Sequence, residues 1–493
     1  MTEAGSSFDL ASYCLAPGAP DDAALAVVEA DGGAITLDRA ALRAAVNRLA
    51  RALACRAGKG ERVVLRMANQ VAMATAFLAT ARAGLVAVPV SPQLRRPEVE
   101  AILEDADASL IVTLTADDPV LTGLQVPVVQ PDDLEGTAAL PVVGADDPAL
   151  LIFTSGTSGR AKGVLHGHHT VLGRRPIRDA WLGIGPGDRV LHAGTLNWTY
   201  TLGVGLMDPL AAGATAVLAG ADVEPGAWPT LIADHGITVF AAVPTVYRRM
   251  LKYGDPSVLR TGPLRHGVTA GEALSPHLWQ AWRDATGLEL YEALGMTEIS
   301  TYVSSGPGTP TRPGSAGKAQ PGRRIAILDA ATHRPLDAAG ETGLLAVHRS
   351  DPGLMLGYWR RPDEEAAVMF GEWFAGGDLA HLDEDGYVYF HGRDDDVLNA
   401  LGVRTSPLEI ERVLAEHPAV NEVAVTTTAN AEGVELITAF VVPAADVDDS
   451  DLLAFASHRL AAYKLPKRVV RVDGLPRTAN GKVQRRQLRI DGG

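Results

Sequence analysis

Between residues 62 and 243, short apolar runs alternate with helical patterns, and that alternation limits the folds open to this chain more than any other feature. Arg62–Met67, Leu110–Thr113, Leu150–Thr154, Val190–Ala193, Ala214–Ala219 and Ile237–Val243 are largely apolar along their whole length. A strand that is apolar on both faces must be covered on both, which predicts a mainly parallel sheet layered between helices. Asp38–Cys55 supplies one such helix. Leu42, Val46, Leu49 and Leu53 form its apolar stripe, and Asp38 is placed as its N-cap. Val71–Val90 is the most membrane-like stretch, yet Arg82, Gly84 and Pro89 interrupt it and much of it is alanine. It reads as a buried helix followed by a strand, and no membrane span is expected.

The 493 residues exceed the roughly 100–200 of a single domain. A composition shift marks where to divide them. After Gly392-Arg393-Asp394-Asp395-Asp396 a shorter α+β pattern begins, and its tail, Lys464–Arg489, holds nine Lys or Arg against one acid, Asp473. The expected domains are 1–394 and 395–493. A net charge of −15 excludes a nucleic-acid surface as the main function, because phosphate backbones need a cationic face. It leaves room for a nucleotide, which binds through local loops and single cations. Cys14 and Cys55 sit in no CxxC or Cys/His cluster, and the start MTEAGSSFDL lacks the pattern of a signal peptide. Both point to a reducing, cytoplasmic setting.

Five segments carry chemistry. Thr154-Ser155-Gly156-Thr157-Ser158-Gly159-Arg160-Ala161-Lys162-Gly163 follows directly on an apolar strand. Hydroxyls and glycines at a strand end let backbone N–H and side-chain O–H groups approach a polyphosphate, and Lys162 adds charge. It is no Walker A loop, since Ala161 and Gly163 flank the lysine where that pattern needs Gly before and Ser or Thr after. Taken alone, it also reads as a flexible Ser/Gly turn. Leu290–Glu298 contains Gly295, Thr297 and Glu298, a hydroxyl for a phosphate oxygen and a hard carboxylate suited to Mg²⁺. Ala270-Gly271-Glu272-Ala273 offers a platform for a flat base, and Gly376-Gly377-Asp378 a carboxylate for ribose hydroxyls. In Pro476–Arg486 a turn at Asn480-Gly481 projects Lys482 among arginines.

Together and in this order, from residue 151 to 486, these segments resemble the adenylate-forming superfamily of acyl-CoA synthetases, nonribosomal-peptide adenylation domains and luciferases. The resemblance implies an α/β fold: a large N-terminal domain of layered α/β subdomains plus a distorted β-barrel, with a small mobile C-terminal α+β domain. It implies that Thr154, Ser155, Gly156, Thr157, Ser158, Gly159 and Lys162 grip the β- and γ-phosphates of ATP. Thr297 meets the α-phosphate and Glu298 the Mg²⁺. Gly271, Glu272, Ala273 and Leu294 line the nucleotide, and Asp378 and Arg393 hold the ribose. Asp395 is the hinge, Arg404 a phosphate-facing arginine of the small domain, Gly402 a contact to coenzyme A, and Lys482 the lysine bridging the attacking carboxylate and the α-phosphate.

Two departures refine the resemblance. Ala161 replaces the usual Pro before the loop lysine, which removes stiffness only. Leu294 stands where an aromatic residue is common before Gly-x-Thr-Glu, and the aliphatic residue resembles the benzoate-type CoA ligases, as do Asn197–Gly203 and Val243–Tyr247. Gly295 occupies the place of a bulky Trp in acetate-specific relatives, so an acyl pocket walled by Trp198, Tyr200, Ala293, Thr301 and Tyr302 is expected to take an aryl or medium-chain acid. The implied reaction is acid, ATP and CoA to acyl-CoA, AMP and pyrophosphate, by a monomer or homodimer. The alternatives are an adenylating enzyme that loads a carrier protein in trans or an amine, and a non-catalytic nucleotide-binding homologue.

Overall fold

The computed structural model describes residues 7–29, 32–115, 117–154, 162–220, 223–394, 398–400, 403–429, 435–460, 462–477, 483–485 and 487–488. Two large sheets organise residues up to 393. In the first, Glu289–Met296, His266–Ala270, Val239–Ala242, Arg189–His192, Thr215–Ala219 and Ala23–Val28 lie side by side and parallel. In the second, Pro148–Thr154, Val86–Val90, Arg62–Arg66, Ala108–Thr113 and Val128–Val129 do the same.

The helices Arg39–Leu53 and Val71–Arg82 lie between these sheets, and one apolar core joins Leu25 and Leu218 of the first sheet to Leu65 and Ile152 of the second. This explains the membrane-like run. Every residue from Met73 to Ala81 is buried, because a helix with a sheet on either side has to be apolar all round. No helix among the described residues is long and apolar enough to cross a membrane. Asp38 caps the neighbouring helix as expected, its Oδ1 accepting the Ala41 N–H at 2.7 Å. The strand expected over Ile237–Val243 is shorter, Val239–Ala242. Ile237 still donates to Ile232 O in the turn after the preceding helix, and Val243 precedes the proline that opens the next.

Beyond Met296 the first sheet continues in antiparallel strands, from Ser300–Ser304 to Met369–Phe370. These stand where the distorted barrel is expected, but among the described strands the pairing path is open at both ends. The smaller part has a sheet of its own, Val420–Ala429, Glu435–Pro443 and Arg468–Arg471, and a separate core of Leu398, Ile410, Leu414, Val425, Ala439 and Leu452. The fold is mixed α/β, a large sheet-based part followed by a small α+β part.

Candidate active site

Strand Pro148–Thr154 carries its chain out of the core and returns as Lys162–Gly167, with Thr154 opposite Lys162. Ser155, Gly156, Thr157, Ser158 and Gly159 lie outside the described residues. Lys162 has its Nζ 2.6 Å from Glu364 Oε2 and 5.1 Å from the ring centroid of Tyr358. Tyr358 sits on a short edge strand that pairs with Val164, and its hydroxyl donates to Glu298 Oε1 at 2.7 Å. Glu298 is held again through its backbone, whose carbonyl accepts the Met355 N–H at 2.7 Å. The end of the Ser/Gly loop and the Thr297-Glu298 pair, more than a hundred residues apart in the chain, therefore meet at one tyrosine. The Lys162–Glu364 pair is partly solvent-exposed and contributes roughly 1 kcal/mol at most, so phosphate oxygens can displace the carboxylate.

His166 fixes the other side of this junction. Its ring Nε2 lies 2.9 Å from the Thr297 carbonyl oxygen, which makes it the donor, and burial lowers its pKa from 6.5 to about 4. The imidazole is therefore neutral at physiological pH and acts as a fixed N–H clamp on the Thr-Glu turn. Beneath the turn, Arg174 binds Asp208 with two nitrogens, at 3.0 and 2.6 Å, and reaches the Ser300 hydroxyl. Sequence reasoning missed His166, Tyr358 and this ion pair. His166 follows Lys162 by four positions, which is the sole local signal; Tyr358 joins the site only through strand pairing.

The residues expected on the nucleotide side are grouped as follows. Gly271 has φ of 91°, and a Cβ there would stand 2.9 Å from Trp198 Cη2, so the glycine lets the indole pack against the backbone. Glu272 accepts from Thr245 at 3.2 Å, and burial raises its pKa. It also meets the smaller part, where Arg477 Nη1 lies 3.1 Å from Glu272 Oε1 while Nη2 lies 3.0 Å from Glu422 Oε2. The next carboxylate on this wall, Glu292, accepts the Leu274 N–H at 2.9 Å; burial raises its pKa to about 7. Asp378 and Arg393 face each other across adjacent strands, with Nη1 3.5 Å from Oδ1.

The expected acyl-pocket residues fall into two groups. Trp198, Tyr200 and Ala293 share an apolar cluster with Trp181, Ala270 and Tyr291, and the Trp198 and Tyr200 rings meet edge to face at 5.4 Å. Tyr302 and Leu294 belong to a different cluster, with Met296 and Tyr358. There the buried Tyr302 hydroxyl has no hydrogen-bond partner among the described residues, and the charges of Asp378 and Glu298 add to the burial that raises its pKa. Thr301 is buried, and its hydroxyl also lacks a partner among the described residues. At Gly295 a Cβ would fall 2.2 Å from Ser300 O and 2.5 Å from Thr301 Cα. The backbone of the next strand fills that space, so the first consequence of this glycine is close strand approach across a bulge.

Asp395, Gly402 and Lys482, with the side chain of Arg404, lie outside the described residues. The flanks of Lys482 are described: Arg477 pairs with Val483 as an antiparallel bridge, and Gln484 N–H bonds Pro476 O at 2.8 Å. Arg477 of this bridge is in turn anchored to Glu272 of the large part.

The sequence pattern of the AMP-binding enzymes matches residues 16–359, and that of the AMP-binding enzyme C-terminal domain matches residues 409–482. The chain belongs to the AMP-binding enzyme family. This AMP-binding enzyme is 33% identical over 491 residues to a benzoate–CoA ligase of Thauera aromatica, covering 93% of this chain and 91% of that one. It also superposes on the benzoate CoA ligase from Burkholderia xenovorans with a TM-score of 0.87 at 28% identity, covering 98% and 100% of the two chains. With the ATP-bound MatB from Rhodopseudomonas palustris the TM-score is 0.89 at 29% identity and 99% coverage of both chains, and with the apo form of MatB it is 0.79. The arrangement of this AMP-binding enzyme is thus nearer to the ATP-bound form than to the apo form.

Proposed function

We propose that this acid–thiol ligase joins an aryl or medium-chain carboxylic acid to CoA through an acyl-AMP intermediate, and that it works in the cytoplasm. The observation that carries the reading is the junction at Tyr358, which holds Lys162 and Glu298 together while His166 clamps Thr297. A carboxylate is a poor electrophile. Its attack on the α-phosphorus of ATP releases pyrophosphate and leaves a mixed anhydride, which the CoA thiol then opens with release of AMP.

Negative charge grows on the phosphate oxygens in the first step. Lys162 and the Thr297 hydroxyl face those oxygens, and Lys482 lies between the carboxylate and the α-phosphate; fixed donors of this kind are worth several kcal/mol. Glu298 fits Mg²⁺, because one carboxylate beside a polyphosphate is the donor set that ion favours. Bound with ATP, Mg²⁺ neutralises phosphate charge. Asp378 and Arg393 hold the ribose, and Gly271-Glu272-Ala273 and Leu294 the base. The thiol needs access where Lys482 stood, so the small domain, 395–493, turns about Asp395, bringing Gly402 to the CoA. Trp198, Tyr200 and Ala293 support a flat apolar acid, and the benzoate–CoA ligase relatives support the same class.

A pyrophosphate-release screen over aromatic, alicyclic and straight-chain acids tests this. Benzoate-like acids are expected to exceed acetate at least tenfold in kcat/KM, since an aromatic slot discriminates by roughly 1–3 kcal/mol for small apolar differences. Preference for acetate, or pyrophosphate release independent of any acid, overturns the substrate assignment.

A further inference from the structure

Strand Ser300–Ser304 holds one residue more than its partner strand can pair. Gly295 lies opposite Thr301 and Leu294 opposite Val303, which leaves Tyr302 as the extra residue of a β-bulge. A bulge re-aims a side chain, and here two successive residues, Tyr302 and Val303, both join the apolar cluster that holds Tyr358. The backbone is fixed on either side of the turn. The Tyr302 carbonyl accepts the Gln320 N–H at 3.0 Å, and Arg323 donates to the Thr301 carbonyl at 3.2 Å.

The ring that the bulge turns inward is 1% exposed, and its hydroxyl has no hydrogen-bond partner among the described residues. Phenylalanine would fill the same space without stranding an O–H, so apolar packing explains the ring and leaves the oxygen unexplained. A wall of the acyl pocket does not explain it either, because Trp198, Tyr200 and Ala293 stand in another cluster. Its neighbours are residues expected to hold the nucleotide. Ala380, on the strand Asp378–Leu382, packs in the same cluster, and Asp378 lies two residues before it on the same buried face of that strand. Asp378, Glu298, Arg323 and Arg393 are the charges that act on the hydroxyl. Of the two carboxylates, Glu298 already accepts the Tyr358 hydroxyl at 2.7 Å. Asp378 faces Arg393 at 3.5 Å, longer than a firm charge-assisted bond.

We propose that Tyr302 is a positioning residue for the ribose: its hydroxyl donates to Asp378 once that carboxylate turns to take the ribose hydroxyls. An ionised carboxylate offers about four lone-pair sites, so Asp378 can hold the ribose and the tyrosine together. The donor is idle until the nucleotide arrives, which makes its benefit one of binding and its cost one of stability. The proposal rests on the ribose role given to Asp378 above and adds the residue that fixes how this carboxylate is presented.

The test compares the full chain with its Tyr302→Phe variant. Without nucleotide the variant is expected to unfold at the wild-type temperature or above, since it loses only an unpaired oxygen. In acid-dependent pyrophosphate exchange its KM for ATP is expected to rise about tenfold, the size of one hydrogen bond to a charged group, with kcat and the KM for the acid within about twofold. With 2′,3′-dideoxy-ATP the two proteins are expected to agree within about twofold, because the hydroxyls that turn Asp378 are gone. A lower unfolding temperature for the nucleotide-free variant, a changed KM for the acid, an unchanged KM for ATP, or an equal rise with both nucleotides overturns the role of Tyr302. The rise in unfolding temperature that each nucleotide causes gives the same comparison without turnover. A wild type that shows this rise but no acid-dependent exchange therefore overturns the proposed function alone. A wild type that responds alike to ATP and 2′,3′-dideoxy-ATP overturns the ribose role of Asp378, and that of Tyr302 with it.

Discussion

Lys482→Ala is expected to lower acid-dependent pyrophosphate exchange by about 10²–10³-fold, the cost of removing one preorganised donor from a charge-developing transition state. Thioester formation from supplied acyl-AMP is expected to stay within about threefold. The asymmetry follows from the role proposed for the lysine. On either side of the lysine, Arg477 and Val483 pair as an antiparallel bridge, and Arg477 bonds Glu272 of the large part. In the proposed mechanism the lysine serves the step in which ATP is split and leaves before the thiol attacks. Single-turnover measurements of the two half-reactions check this. Equal losses in both would show that the lysine supports the fold or binds substrate without discriminating between the steps.

Arg174→Ala is expected to destabilise the large part by about 3–5 kcal/mol, because it strands a buried charge. Asp208 is fully buried, and its two oxygens are taken by Arg174; the next cation, Arg178, is 3.9 Å away. Gly203 shows how closely the site is fitted, since a Cβ there would fall 1.9 Å from Arg174 Nη2. The same guanidinium holds Ser300, two residues beyond Glu298, so its loss is also expected to loosen the Thr-Glu turn. Arg174→Lys keeps the charge but not the two-point grip, and should cost less. Urea unfolding followed by tryptophan fluorescence measures the difference; a loss under about 1 kcal/mol for Arg174→Ala would contradict this account of the core.

Periodicity made the layered part of the fold legible, for physical reasons visible in particular residues. Val71–Arg82 is apolar all round because sheets cover both its sides, and Asp38 precedes a clear stripe and caps it. Local chemistry singled out Thr297, Glu298 and Lys162, and the fold brings the three together. What joins them was not legible. Tyr358 meets Lys162 and Glu298 only through an edge strand paired across almost two hundred residues, and His166 is an ordinary strand residue until Thr297 folds over it. Gly295 teaches the opposite lesson. Its lack of a side chain suggests an open pocket in sequence, whereas in space the backbone of Ser300 and Thr301 already lies there. Nor does sequence tell that Trp198 and Tyr302 sit in separate clusters, because the division arises from which face of the sheet each strand presents.

The central claim is that a carboxylate oxygen attacks the innermost phosphorus of ATP in the cleft beside Glu298 and Thr297. Turnover of an accepted acid labelled with ¹⁸O in its carboxylate decides it, with the nucleotide products weighed by mass spectrometry. The account predicts AMP that carries one labelled oxygen, and pyrophosphate that carries none. ADP with labelled inorganic phosphate, or unlabelled AMP, would place the attack elsewhere and contradict it.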